Sequence, residues 1–237
     1  MSSGHYDIIP ANMIEIKPFT CNFIEENCYV VSDESGEAVI IDCGAFFPED
    51  KTRISDYIAE KALKPVRHLC THGHFDHVFG AQYCADTFGL SPELSAAEQP
   101  TYAAAADQMR AVLHRDFPLS LPTAATPFND GDTLSFGTHS LRVIATPGHT
   151  PGGVCFYCEA EGVLFSGDSL FCREVGRTDL PGGDEASLIS ALQRLVTTLP
   201  ESVKVYPGHG PATTIGDERC STATSANPRQ STTQKTI

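Results

Sequence analysis

Residues 71–77 read Thr-His-Gly-His-Phe-Asp-His, three imidazoles and a carboxylate within seven positions. On an extended backbone His72 and His74 share a side, because side chains alternate with period two, and Asp76 can follow them. Neutral imidazoles with a carboxylate suit zinc, iron or manganese. His77 points elsewhere, so one short segment can serve two ions, with Gly73 relieving crowding between the ligands. Two sites still need more donors than this segment supplies. Three further positions offer them, each beside glycine after an apolar run: His149 in ATPGHTPGG, Asp168 in LFSGDSLF and His209 in VYPGHGPA. Glycine lets the backbone turn sharply and come close to a cofactor. A single histidine of this kind reads as a loop residue, whereas four places offering the same donors read as a metal site. His5, His68, His114 and His139 lack the setting and are expected to be structural or solvated.

The elements that must deliver these side chains follow from periodicity. CYVVS (28–32) and EAVIID (37–42) flank a turn-like DESG and predict a hairpin. Residues 49–64 carry Ile54, Tyr57, Ile58 and Leu63 at helical spacing before Pro65. VRHLCT (66–71) predicts a buried strand that runs into the histidine segment, and helical spacing resumes at His77, which puts that segment on a strand-to-helix loop. Residues 95–116 are Ala-rich and helical in pattern. Strands are expected at 133–136, 139–146, 153–157, 162–167 and 203–208. Asp184 caps a helix with the apolar stripe Leu188, Ile189, Leu192, Leu195, Val196 and Leu199. In each half of the chain a hydrophobic strand ends in a short loop bearing His or Asp. Two sheets back to back with helices outside would bury these elements.

A chain of 237 residues with 41% hydrophobic composition can bury one full core. Residues 1–216 are read as one domain and residues 217–237 as a polar, mobile tail. The net charge of −14, without a basic patch, argues against nucleic acid or an anionic membrane as partner. The N-terminus has no signal-peptide pattern, no run is long enough to span a bilayer, and nine scattered cysteines suit reduced thiols, so a cytoplasmic setting is expected. Cys155 and Cys158 have C-x-x-C spacing but lie in a strand-like run, where two packed thiols are the expected reading.

Taken together, H-x-H-x-D-H, PGHTPGG, SGDSLF and PGHGP resemble the metallo-β-lactamase-fold superfamily, and most closely its glyoxalase II (hydroxyacylglutathione hydrolase) branch, from about Asn27 to Thr214. The resemblance implies an α/β fold, a four-layer αββα sandwich with a dinuclear metal site at the sheet edge. It assigns His72, His74 and His149 to one metal and Asp76, His77 and His209 to the other, with Asp168 bridging. Asp42, which alone reads equally as a cap or turn residue, matches an aspartate that supports the metal loops. Two zinc ions are implied, with iron or manganese possible. Such a pair, about 3.5–4 Å apart, lowers the pKa of shared water from far above neutrality to about 7 and would yield a bridging hydroxide nucleophile. Asp76 is the residue expected to orient or deprotonate that water, and a small thioester such as S-lactoylglutathione the expected substrate.

Other branches differ in their ligands. Zinc β-lactamases of the common type use cysteine in place of Asp168, and flavodiiron proteins use Glu in place of His74. Nucleases of the fold act on polyanions. A lactonase, or a persulfide dioxygenase with one iron on His72, His149 and Asp168, remains open. The full glutathione-binding pattern is not met: Arg177 in GRTDLPGGD fits one basic position, but Asp179 and Pro211 stand where tyrosines are expected and a C-terminal helical domain is missing. The chain resembles the short, single-domain bacterial type. Arg177 reads equally as a grip on a substrate carboxylate or as a salt bridge to Asp179 or Asp184. Tyr29 and Phe46 flank the expected site and could wall the pocket, with core packing the stronger reading for Tyr29.

Overall fold

The computed structural model describes residues 13–115, 118–125 and 127–219. The first half forms a sheet of β1 (Glu15–Cys21), β2 (Glu26–Ser32), β3 (Glu37–Ile41), β4 (Lys64–Leu69) and β5 (Pro92–Glu93), in that spatial order. The first three are antiparallel, and β4 and β5 then join in parallel. Helices α1 (Pro48–Glu60), α2 (Phe75–Val78), α3 (Ala81–Phe88), α4 (Gln99–Ala103) and α5 (Ala105–Leu113) interrupt and follow these strands. The second sheet holds β6 (Thr133–Phe136), β7 (His139–Ala145), β8 (Val154–Cys158), β9 (Val163–Gly167), β10 (Lys204–Pro207) and β11 (Thr213–Thr214), with α6 (Glu185–Thr198) between β9 and β10. Its order is β11-β10-β9-β8-β7-β6, antiparallel except for the parallel pair β9 and β10.

Alternation along the strands builds the layers. Val31, Val39 and Ile41 face Phe136, Leu141, Phe156 and Phe165 in the core between the sheets. Val30, Ala38 and Ile40 turn the other way onto Ile54 and Ile58 of α1. On the far side Leu188, Leu192, Leu195 and Val196 of α6 cover Tyr157, Leu164 and Val205. Burying each such leucine or valine is worth about 1.5–3 kcal/mol. The result is the expected αββα sandwich. No helix among the described residues is long and apolar enough to cross a membrane.

Several boundaries differ from the sequence reading. Helix α1 stops at Glu60 because Ala62 is left-handed (φ 52°), and Lys64 and Pro65 already belong to β4. The Ala-rich stretch is a short 3-10 turn (Ala96–Glu98) followed by two helices that break at Ala104. Ile189 is 41% exposed and leaves the α6 stripe, while Asp184 caps the helix through the Ser187 amide, 2.6 Å away. Strand β1, with Pro18 at the sheet edge, carried no clear strand signal. Cys155 and Cys158 are three apart on β8, so they face opposite layers, one beneath α6 and one between the sheets. Residues 217–219 are still packed: Glu218 is buried, and the Arg219 guanidinium donates to the Val196 and Leu199 carbonyls. Residues 220–237 of the expected tail, and His5, lie outside the described residues.

Candidate metal centre

The donor-bearing residues all follow strand ends. Asp42 follows β3, the 71–77 segment follows β4, His149 follows β7, Asp168 follows β9 and His209 follows β10. The histidine segment is less extended than expected: α2 begins at Phe75, so Asp76 and His77 sit in a first helical turn. Gly73 is required for a reason other than ligand crowding, since a Cβ there would lie 2.6 Å from the Tyr102 amide of α4.

Two groups of ligand atoms form, each within 4.8 Å of one another: His72, His74 and His149, and Asp76, His77 and His209. Asp42, His72 and His77 also satisfy that limit. His149 Nε2 lies 2.9 Å from His74 Nδ1. His149 Nδ1 lies 2.7 Å from the Arg177 carbonyl oxygen, which can only accept, so Nδ1 carries the proton and Nε2 presents its lone pair to the cluster. His209 Nε2 is 3.2 Å from Asp76 Oδ2. Asp168 spans the two groups, with Oδ1 3.2 Å from His77 Nε2 and Oδ2 3.6 Å from His149 Nε2.

Burial and neighbouring charge divide the titrating groups. Burial, with the charge on His77, pushes His72 well below the imidazole range, and burial with His149 lowers His74 to about 4. Both are neutral near pH 7, the form that donates a lone pair. Burial also opposes charge on His77, but Asp168 and Asp76 outweigh it and hold the ring well above its usual range. Against burial, His77 and His209 hold the Asp168 carboxyl well below the carboxylate range and lower that of Asp76. The metal-free centre therefore combines neutral imidazoles at His72 and His74 with a charged ring at His77 and ionised carboxylates. His72 Nε2 is buried without a hydrogen-bond partner, at a cost of about 1–3 kcal/mol, and His77 Nε2 and Asp168 Oδ1, buried too, have only each other at 3.2 Å. Nitrogen and oxygen donors so placed fit a pair of divalent cations, which together would satisfy all three.

A supporting shell holds these loops. The Asp42 carboxylate accepts from the Thr71 amide (2.7 Å) and hydroxyl (2.6 Å) and lies 3.2 Å from His77 Nδ1. Glu98, fully buried, accepts from the Gly73 amide (3.0 Å) and the Gly152 amide (2.8 Å) and so ties the first histidine loop to the His149 loop. Asn22 donates to the carbonyls of Gly44 and Asp76, and Asn27 to those of Pro207 and Gly210 on either side of His209. Glu26, beneath His77, is buried without a partner, and burial raises its pKa well above the carboxylate range. The sequence offered no signal for Glu98 or Glu26.

A pocket of about 1010 Å³ opens over the centre, with His74, Asp76, His149, Asp168 and His209 at its floor. Arg177 lines it, but its guanidinium is bidentate to Asp179 at 2.7 and 2.8 Å, the salt-bridge reading rather than a free grip. Tyr29 does not reach the pocket and is corrected to the core. It is buried between the sheets, and its hydroxyl donates to the Pro207 carbonyl at 2.7 Å, because its place in β2 turns it to the same side as Val31. Phe46 likewise packs against Phe23, Phe47 and Phe79 instead of lining the pocket.

An αββα sandwich with a histidine and aspartate cluster at its strand ends is a metallo-hydrolase architecture. The chain belongs to the metallo-beta-lactamase superfamily, whose family model matches residues 22–209. It is 32% identical over 210 residues to hydroxyacylglutathione hydrolase GloC of Haemophilus influenzae, covering 87% of this chain and 94% of that protein. Among solved structures, BLEG-1 B3 metallo-beta-lactamase matches at TM-score 0.79 with 35% identity, over 87% of this chain and 97% of that one. TTHA1623, solved in a di-iron-bound form, matches at TM-score 0.76 with 37% identity, over 86% and 96%.

Proposed function

We propose that the chain is a dinuclear-metal hydrolase of small thioesters, the reaction class to which S-lactoylglutathione cleavage belongs. The observation that carries this reading is the pair of donor groups spanned by Asp168 on the floor of one pocket. His72, His74 and His149 are assigned to one ion, Asp76, His77 and His209 to the other, and Asp168 to both. Zinc suits the set; iron is the direct alternative, given the di-iron relative. Two such ions, when bound, supply hydroxide from water near neutral pH and polarise the ester carbonyl.

The chain's own residues orient the reaction. Asp76, ionised and with Oδ2 facing His209, is placed to orient the attacking water or accept its proton at that oxygen. The Arg177 carbonyl fixes the His149 tautomer, and Asp42 supports His77 from behind. A thiolate leaving group, with a pKa of about 8.5 by analogy with cysteine, needs no strong general acid. That suits a pocket whose described lining offers no histidine beyond the metal set. The similarity to a hydroxyacylglutathione hydrolase supports the same chemistry. The partner assigned is a small molecule, since the net charge of −14 disfavours polyanions.

The test pairs metal analysis of the purified protein with a panel of thioester, lactone, lactam and persulfide substrates. About two metals per chain and thioester turnover, lost in His74→Ala, are expected. Full activity in that variant refutes the ligand assignment. Lactone or lactam cleavage alone replaces the substrate class, and oxygen uptake with a persulfide by iron-loaded protein, without thioester cleavage, replaces the reaction.

A further inference from the structure

We infer that the thioester taken by this site carries an apolar, uncharged substituent rather than a charged peptide carrier, an inference that rests on the hydrolase reading above. Away from the metal floor the pocket walls are Ile24, Phe75, Val112, Phe171, Leu180 and Pro181, drawn from the β1–β2 turn, α2, α5 and the loop after β9. Glutathione brings two carboxylates and an ammonium group. Among the described lining residues the single lysine or arginine is Arg177, and one edge of its guanidinium, Nε and Nη2, is engaged by the Asp179 carboxylate, which offsets its charge. The other ionised groups on the walls are acids: Glu174, and Asp107, which pairs with Arg110 at 2.7 Å. Among the described lining residues a carboxylate brought into this space meets one cation already paired with Asp179, and acids at Glu174 and Asp107. A hydrocarbon meets walls that are mostly apolar, with Thr101 and Gln108 as their neutral polar members, above the reacting centre.

Pocket size requires that the substituent be large, and the walls decide its polarity. A volume of about 1010 Å³ lies at the upper end of small-molecule sites, far more than a lactoyl group fills. The substituent that occupies it is attached through either the acyl carbon or the sulfur; both present the same chemistry, and the experiment separates them.

Steady-state kinetics of the two-metal protein would use two series. In one, neutral N-acetylcysteamine carries acyl chains from acetyl to octanoyl; in the other, an acetyl group is carried by alkanethiols of rising length. The value of kcat/KM should rise about fourfold per added methylene in at least one series until the walls are filled. S-lactoylglutathione should fall below the lactoyl ester of N-acetylcysteamine. Non-hydrolysable thioether analogues, followed by calorimetry, should bind more tightly with length and with an increasingly negative heat-capacity change. Val112→Asp, at a 42% exposed position on α5, should flatten the length dependence.

If kcat/KM is flat in both series, if the glutathione ester is preferred to its neutral counterpart, if analogue affinity ignores chain length, or if Val112→Asp leaves the slope unchanged, the inference is overturned while thioester hydrolysis stands. If the metal-loaded protein cleaves no thioester at all, the hydrolase reading fails and takes this inference with it.

Discussion

Replacing Glu98 should loosen both histidine loops of the first donor group at once. Its two oxygens each accept one buried backbone amide, Gly73 between His72 and His74, and Gly152 in the loop that follows His149. Alanine strips both acceptors. A buried donor left unpaired costs about 1–3 kcal/mol, so Glu98→Ala should lose about 2–6 kcal/mol. Relief of the carboxyl itself, whose burial raises its pKa, and entry of water into the space bring the loss toward the lower end. Glutamine keeps the shape and one acceptor but turns an N–H toward an N–H, so Glu98→Gln should lose about 1–3 kcal/mol. Urea unfolding of metal-free protein measures these losses. Competition with a chromophoric chelator measures metal affinity, expected to fall about tenfold for each 1.4 kcal/mol by which the loops must be re-ordered on binding. Both variants within about 0.5 kcal/mol of the parent, with metal affinity unchanged within about twofold, would mean that the clamp holds nothing and the argument is wrong.

Asp42→Ala removes the acceptor of the Thr71 amide and the carboxylate behind His77; metal affinity should fall about 10–100-fold with far-UV circular dichroism retained, and unchanged affinity would refute its supporting role. Chelation should leave the fold standing, because the four core clusters contain none of the seven donors, yet lower stability. At metal concentrations about 1,000-fold above Kd the loss is about 4 kcal/mol, or roughly 8–16 °C in Tm; complete unfolding on chelation, or no shift, contradicts this. His139 sits between Asp33 (3.2 Å) and Glu161 (3.3 Å); burial works against its charge, but the two carboxylates raise its pKa. Its contribution is full below the unfolded value of about 6.5 and drains as pH rises through the higher folded value. Asp33 is held low by Ser35, Thr138 and His139 against burial, so its share is present above about pH 3.9 and lost as pH falls. His139→Gln should therefore be most destabilising at about pH 5–6, with the deficit shrinking by about pH 9; a deficit that ignores pH removes the ion pair from the account.

What the sequence made legible depended on how local the signal was. The seven side chains proposed as donors stood out because each lies in a short pattern of fixed spacing or beside glycine at a strand end, a setting that serves packing badly. The core faces of β2, β3 and α6 were readable from period. Glu98 was not, since one glutamate in the Ala-rich run 95–105 has the pattern of a solvated helix residue. It is buried only because the loops at Gly73 and Gly152, 25 residues before and 54 after it, close over it. Tyr29 shows the same limit: core packing was its stronger reading and a place in the pocket wall the weaker one, and only the alternation of β2 decides, sending the ring between the sheets, where its hydroxyl holds the strand that leads to His209. Arg177 was undecidable until its fork was seen closed on Asp179.

The convergence of donors from distant parts of the chain has a topological cause. Antiparallel neighbours send successive loops to opposite edges of a sheet, whereas parallel neighbours send both to the same edge. Each sheet has such a pair beneath the site. β3 and β4 deliver Asp42 and the histidine segment, and β9 and β10 deliver Asp168 and His209. β7 and β9 are both antiparallel to β8, so β7 runs with β9 and brings His149 to the same edge. Hydrogen bonds from the Val154 amide to the Thr71 carbonyl (3.0 Å) and from the Asn27 amide to the Gly208 carbonyl (2.7 Å) then register one edge against the other. Strand neighbours lie about 4.8 Å apart, so loops leaving adjacent strands start at the separation a shared ion can bridge with short side chains. The apolar walls are built mainly from other segments, α5 and the loop after β9 among them, and none of the seven donors lies on α5 or on the apolar wall positions. The wall can therefore change its substrate while the edge keeps its chemistry, which is why the fold and its ligands identify a hydrolase and only the wall identifies what it cleaves.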